Sequence, residues 1–115
     1  MDPGTTATAC DASLARAFSF LGKRWSGVII GTLANGSVGF AELARRVEGI
    51  SDSVLSDRLV ELQRAGLVVR SVDPGPPVAV DYALSEAGAA LIPAMRELSA
   101  WAADNLAEGA SGRGA

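Results

Sequence analysis

Residues 40–65 contain the feature that most restricts the fold of this chain, two amphipathic helical patterns separated by a turn of four residues. Between the patterns, Gly49 can adopt a positive φ and Ser51 can cap the helix that follows it. Two helices joined by a short turn containing glycine predict a helix-turn-helix motif. The apolar positions that recur at helical spacing are Phe40, Leu43, Ala44 and Val47 in the first helix and Leu55, Leu59 and Leu62 in the second.

The period changes from helix to strand after Gly66. Residues 67–72 are rich in β-branched side chains, residues 73–77 contain three prolines and a glycine, and residues 78–84 repeat the strand pattern. A β-hairpin directly after the second helix of a helix-turn-helix is called a wing. The predicted fold is therefore mainly α with a β-hairpin, a winged helix-turn-helix.

Two further helices are predicted before this motif and one after it. The first covers about residues 11–21 with Asp11 as its cap, and the second runs from about Trp25 to the Asn35-Gly36 pair. Ser85 caps a long final helix, which Pro93 is expected either to bend or to divide by starting a new helix. Trp25 and Trp101 are predicted to fill the core and the junction between the terminal helices.

The final helix carries more apolar surface than one small domain can cover, so it predicts a dimerisation helix over residues 85–108. The complete winged domain is predicted over residues 10–108, between flexible tails at 1–9 and 109–115. The predicted homodimer interface consists of Leu91, Met95, Leu98, Trp101, Ala102 and Leu106.

Composition excludes several classes of protein. A chain of 115 residues with 49% hydrophobic residues can form one core without a metal or a disulfide. A single cysteine and no histidine exclude the usual zinc sites, and no cofactor is expected. No apolar run reaches the ~20 residues of a membrane span, and the N-terminus does not have the pattern of a secretory signal, so a cytoplasmic protein is expected.

The formal net charge of −3 is unevenly distributed along the chain. Residues 16–70 hold eight basic and five acidic residues, for a local charge of +3, whereas residues 71–115 carry −4. Binding to phosphates requires only a local positive potential, so this distribution is compatible with DNA binding by the helix-turn-helix.

The second helix of the motif is the candidate recognition helix, and its N-terminal residues are expected to approach the bases. Ser53 and Ser56 can donate or accept hydrogen bonds, and Asp57 can accept one from cytosine N4. The alternative for Asp57 is an ordinary solvated carboxylate near a helix N-terminus. The predicted DNA-binding residues are Ser51, Ser53, Ser56, Asp57, Arg58, Arg45, Arg46, Lys23 and Arg24.

The basic members of this set have two interpretations. The guanidinium group of Arg58 is equally suited to a phosphate contact and to an internal salt bridge. The other four, Lys23, Arg24, Arg45 and Arg46, lie where they can reach the flanking DNA backbone or remain solvated charges.

The residues resemble the HxlR family of bacterial winged-helix regulators over about residues 10–104. The resemblance rests on Cys10, the run LGKRWSGVIIGTL, the residues Phe40, Glu42 and Leu43, the segment GISDSVLSDRLVELQRAGLVVR and the segment PPVAVDYALSEAG. It implies a homodimer that binds double-stranded operator DNA and, in some members, senses thiols or electrophiles through the cysteine. Val78 and Ala79 stand where an arginine often follows the two prolines, so a weak wing contact is expected.

Cys10 is the one residue with obvious reactive chemistry. A helix N-terminus lowers a thiol pKa, whereas the neighbouring Asp11 opposes that effect. The resemblance implies three sensing reactions here, an intersubunit disulfide, a mixed disulfide with a small thiol, or alkylation by an electrophile. The alternative is a small apolar residue packed at the dimer interface.

The favoured function is that of a DNA-binding repressor, and there are two alternatives to it. An enzyme is disfavoured, because the chain has no histidine, no nucleophile elbow, no phosphate-binding glycine loop and no recognisable carboxylate pair. A winged-helix module for protein–protein contact is the stronger alternative, and it would explain the net acidity.

Overall fold

The computed structural model describes residues 3–106, and for residues 3–10 it describes the backbone alone. It confirms the winged helix-turn-helix. The order of elements is α1 Pro3–Leu21, α2 Ser26–Thr32, a 3-10 turn Leu33–Asn35, β1 Val38–Gly39, α3 Phe40–Arg46, α4 Asp52–Arg64, β2 Val68–Asp73, β3 Ala79–Leu84 and α5 Glu86–Asn105.

A single apolar core lies between the three short helices and the sheet. The apolar faces predicted for α3 and α4 are the faces that point into it, which is why these segments form stable helices despite their short length. The buried hydrophobic side chains are Ile29, Ile30, Leu33, Val38, Leu43, Val47, Leu55, Leu59, Leu62, Val68 and Tyr82.

The sheet has three antiparallel strands in the order β1-β3-β2, whereas the sequence predicted two. The additional strand, Val38–Gly39, pairs with β3 so that Val38 lies opposite Tyr82. Both side chains are buried. This strand connects the N-terminal end of α3 to the hairpin and thereby fixes the helix-turn-helix against the wing.

Three details of the predicted helices need correction. Helix α1 begins at Pro3, and Asp11 lies inside it instead of capping it. Helix α2 begins after Trp25, whose φ of 84° places it in the left-handed region. Helix α5 continues through Pro93, so the proline does not start a new helix.

The base of the wing is closed by hydrogen bonds around Ser85. Its hydroxyl donates to the carbonyl of Gly66 at 2.6 Å and accepts from the backbone N–H of Gly88 at 3.1 Å. Its own N–H donates to the carbonyl of Leu67 at 2.9 Å. Ser85 therefore caps α5, as predicted, and also joins the two ends of the hairpin.

The predicted tail over residues 109–115 lies outside the described residues, as do the last two residues predicted for the dimerisation helix. Within residues 3–106, no helix combines the length and the apolarity needed to cross a membrane.

Candidate nucleic-acid interface

The turn of the helix-turn-helix has the geometry that the sequence predicted. Gly49 adopts a φ of 87°, and a Cβ at this position would lie 3.5 Å from the ring of Trp25. The hydroxyl of Ser51 accepts a hydrogen bond from the backbone N–H of Val54 at 3.2 Å, which satisfies one of the free donors at the start of α4. The role of Ser51 established by these contacts is that of a cap.

The C-terminal end of α4 is equally well defined. Gly66 has a φ of 79°, and its N–H donates to the carbonyl of Gln63. The N–H of Leu67 donates to the carbonyl of Leu62, which completes a Schellman motif. A helix fixed at both ends presents its outer face in a defined orientation.

The outer face of α4 is the one that the sequence selected for base contact. Ser53, Ser56 and Asp57 are exposed, and on the opposite side of the helix Leu55 and Leu59 are buried. The hydroxyl and carboxylate groups can read base edges by hydrogen bonding. The structure thus brings the three predicted readers onto one accessible surface.

Arg45 and Arg46 form ion pairs with a single carboxylate. Glu42 lies one turn before both on α3 and contacts each of them, with a distance of 2.8 Å between Arg46 Nε and Glu42 Oε2. All three side chains remain open to solvent, and exposed pairs of this kind are weak. A phosphate can therefore still compete for either arginine.

A second acidic residue organises Lys23 and Arg58, although they are far apart in sequence. Glu61 Oε2 lies 2.9 Å from Lys23 Nζ, and Glu61 Oε1 lies 3.1 Å from Arg58 Nη2. The hydrogen bond from Lys23 lowers the pKa of the Glu61 carboxyl, and the nearby charges of Arg58 and Arg64 act in the same direction against partial desolvation. Arg58 therefore forms the internal salt bridge that was one of its two interpretations.

Arg24 has a different kind of partner. Its guanidinium carbon lies 4.6 Å from the centroid of the Trp25 ring, within the range of a cation–π contact. Trp25 is half-buried and packs on the core, as predicted. The guanidinium group of Arg24 is thus held against an aromatic ring whose position is fixed by the core.

Sequence reasoning missed the two acidic residues that hold these cations. Helical spacing alone could have indicated Glu42, because Arg45 and Arg46 follow it at i+3 and i+4. The pair of Glu61 with Arg58 also has helical spacing, but its contact with Lys23 spans 38 positions in the sequence and depends on the tertiary fold.

The residues predicted for the interface on α5 fall into two groups, one partly buried in the single chain and one exposed. Leu91 and Met95 are half-buried and pack on the protomer's own core, and Ala102 is half-buried too. Leu98 is 46% exposed, and Trp101 and Leu106 are each 53% exposed. Trp101 therefore does not pack in the core of the single chain, and its place at a junction between terminal helices stays a prediction.

Helix α1 also exposes apolar side chains, whose spacing in the sequence indicated only a helix. Leu14 and Phe18 are both exposed, as is Val28 on α2. The backbone of Cys10 is helical, but its side chain lies outside the described residues. Within the described part of the chain, no group of three or more potential ligands among His, Cys, Asp and Glu could hold a metal ion.

Comparison with known proteins decides the family. The HxlR-like helix-turn-helix family matches residues 20–110, which is most of the chain. The chain belongs to this family. The HxlR-like chain is 45% identical to the HTH-type transcriptional regulator YodB of Bacillus subtilis over 86 residues, 75% of this chain and 77% of that protein. It is also 42% identical to the HTH-type regulator YvaP of the same organism over 89 residues, 77% of this chain and 82% of that protein.

Solved structures agree with this assignment. The reduced form of YodB superimposes on the HxlR-like chain with a TM-score of 0.77 and 39% identity, covering 95% of this chain and 97% of that one. The redox regulator HypR in its oxidised form gives a TM-score of 0.74 at 27% identity, covering 83% and 98%. YodB has also been solved after diamide treatment and with a bound quinone. The HxlR-like chain is accordingly a transcriptional regulator of the winged-helix type.

Proposed function

We propose that this chain binds double-stranded operator DNA as a homodimer and represses transcription. The observation that carries this proposal is the outer face of α4, where a helix fixed at both ends exposes Ser53, Ser56 and Asp57. Cationic side chains from the turn before α2 and from the end of α3 lie near the same motif, in positions suited to the flanking phosphates. A dimer would present two such helices to the two halves of a palindromic site.

The dimer is supported by the apolar surface of the terminal helices. Leu14 and Phe18 on α1, together with Leu98 and Trp101 on α5, are about half exposed in the single chain. Large apolar side chains left exposed on two helices offer surface that a partner can cover. A second copy with the same surface could cover it in a two-fold arrangement.

The DNA-binding proposal is tested by the salt dependence of binding to the DNA upstream of the regulator's own gene. A dimer that neutralises about six phosphates should lose about a thousandfold in affinity between about 50 and 200 mM salt. We expect a steep slope and preference over an unrelated fragment of equal length, measured by fluorescence anisotropy. No binding at low salt to any fragment would favour the alternative function, a module for protein–protein contact.

Cys10 is proposed as a sensor of oxidants or electrophiles. Support comes from the similarity to YodB, whose structures include diamide-treated and quinone-bound forms, and to the redox regulator HypR. A thiolate can add to a quinone ring, or can form a disulfide with a small thiol or the partner's cysteine when an oxidant accepts the two electrons.

Replacement of Cys10 separates the sensor from the DNA-binding function. We expect Cys10→Ser to bind the operator as tightly as the wild-type protein but to remain bound after treatment with quinone or diamide. Mass spectrometry of the treated wild-type protein should show the corresponding adduct or disulfide at Cys10. Equal release of the variant and the wild-type protein would eliminate the sensor role.

A further inference from the structure

One carboxylate on α4 joins that helix to the turn between α1 and α2. Glu61 contacts Lys23 through one oxygen and Arg58 through the other, at 2.9 and 3.1 Å. It is the shared acceptor for two cations that come from different elements of the fold. A carboxylate in this position presents to both cations the same kind of oxygen that a phosphate would offer.

The hydrogen-bonding capacity of Arg58 is only partly used. Its Nε is buried and has no hydrogen-bond partner within the described part of the chain, while its side chain as a whole is 23% exposed. Arg58 lines a surface groove of about 330 Å³ together with Asp57, Val60, Glu61 and Arg64. The groove therefore combines two arginines with two carboxylates, and of these Glu61 is the one paired with Arg58.

The position of this groove is relevant to DNA. Arg58, Glu61 and Arg64 follow the exposed N-terminal part of α4 along the same helix, on the side where Lys23 approaches. A recognition helix that inserts its N-terminal part into the major groove brings its flank close to one DNA strand. A backbone phosphate on that strand would meet the cations that Glu61 holds.

We propose that Glu61 competes with a DNA phosphate for Lys23 and Arg58, and so weakens the sequence-independent part of DNA binding. The inference rests on the proposed function and deepens it. The Lys23–Glu61 pair is open to solvent and exposed ion pairs are weak, so a phosphate can displace Glu61 from the lysine and then compete for Arg58, whose side chain is 23% exposed. The carboxylate then remains beside the phosphate and repels it, which reduces affinity for all DNA sequences alike.

Glu61→Gln removes this competing charge and keeps the size of the side chain. We expect the variant to bind both operator and unrelated DNA about tenfold more tightly at low salt, the effect of about one additional charged hydrogen bond. The slope of log affinity against log salt should become steeper by about 0.9 for each further phosphate that the released cations neutralise. Glu86→Gln is the matched control, because it makes the same change of charge at an exposed residue at the start of α5.

The role of Lys23 is tested by a double-mutant cycle. Lys23→Gln should reduce DNA affinity more in the Glu61→Gln protein than in the wild-type protein, because Glu61 no longer competes for the lysine. A residue that only supported the fold would change the melting temperature without producing this coupling, so thermal unfolding is measured for each variant.

Each result has a definite consequence. If the wild-type protein binds no DNA, the proposed function fails. If it binds DNA but Glu61→Gln binds no more tightly than Glu86→Gln, the competition is disproved. Weaker binding by Glu61→Gln would also disprove it, since Glu61 would then position the cations for DNA. If Glu61→Gln raises the affinity equally with and without Lys23→Gln, then Lys23 is not one of the cations for which Glu61 competes.

Discussion

Trp101→Asp should convert the proposed dimer into monomers. The indole is 53% exposed in the single chain, although tryptophan gains much from burial. In a two-fold interface the substitution occurs twice, and each large apolar side chain contributes about 1.5–3 kcal/mol when buried. The dissociation constant of the dimer should therefore rise by at least about a hundredfold, as measured by analytical ultracentrifugation.

The same variant should lose tight operator binding while keeping its fold. A monomer engages only one half of a palindromic site, so it lacks the gain in effective concentration that links the two halves. Val69→Asp is the matched control, because Val69 is similarly exposed but belongs to β2 and not to either terminal helix. A Trp101→Asp protein that remains dimeric at micromolar concentration would remove α5 from the proposed interface.

Leu59→Ala should produce a large loss of stability. Leu59 is 1% exposed and belongs to the core cluster that joins α4 to α2, α3 and the sheet. A buried leucine replaced by alanine costs about 2–5 kcal/mol, whereas a whole domain is stable by only about 5–15 kcal/mol. We expect the melting temperature to fall by about 10–25 °C in calorimetry.

The neighbouring residue provides the control for this effect. Val60 is 39% exposed on the outer face of α4, and Val60→Ala should change the stability by less than about 0.5 kcal/mol. Both variants must be compared at the same protein concentration, since dimerisation itself raises the melting temperature. Similar melting temperatures for the two variants would contradict the assignment of the buried face of α4.

The helix-turn-helix was predictable because its local signals agree with its tertiary role. Apolar spacing located α3 and α4, and the need for a positive φ at Gly49 and for a cap at Ser51 determined the turn between them. The three candidate base readers follow directly from the buried face of α4. Each of these inferences uses residues within a few positions of one another.

The features that were missed depend on distant parts of the chain. Strand β1 has two residues and exists because it pairs with β3, so no local pattern indicates it. The contact between Lys23 and Glu61 depends on how α2 and α4 pack together. Apolar spacing on α5 correctly indicated a surplus of hydrophobic surface, but it could not assign Leu91 to the chain's own core and Trp101 to the exterior.

The hydrogen bonds of Ser85 close the base of the wing, so that the two ends of the hairpin are joined to each other. Gly66 and Leu67 are hydrogen-bonded directly to Ser85. The end of α4 is therefore fixed to the start of α5 independently of residues 68–84. The length and sequence of the hairpin tip can then change during evolution without altering the angle between the two helices. The tip is accordingly a natural place for insertions that leave the relative positions of α4 and α5 unchanged.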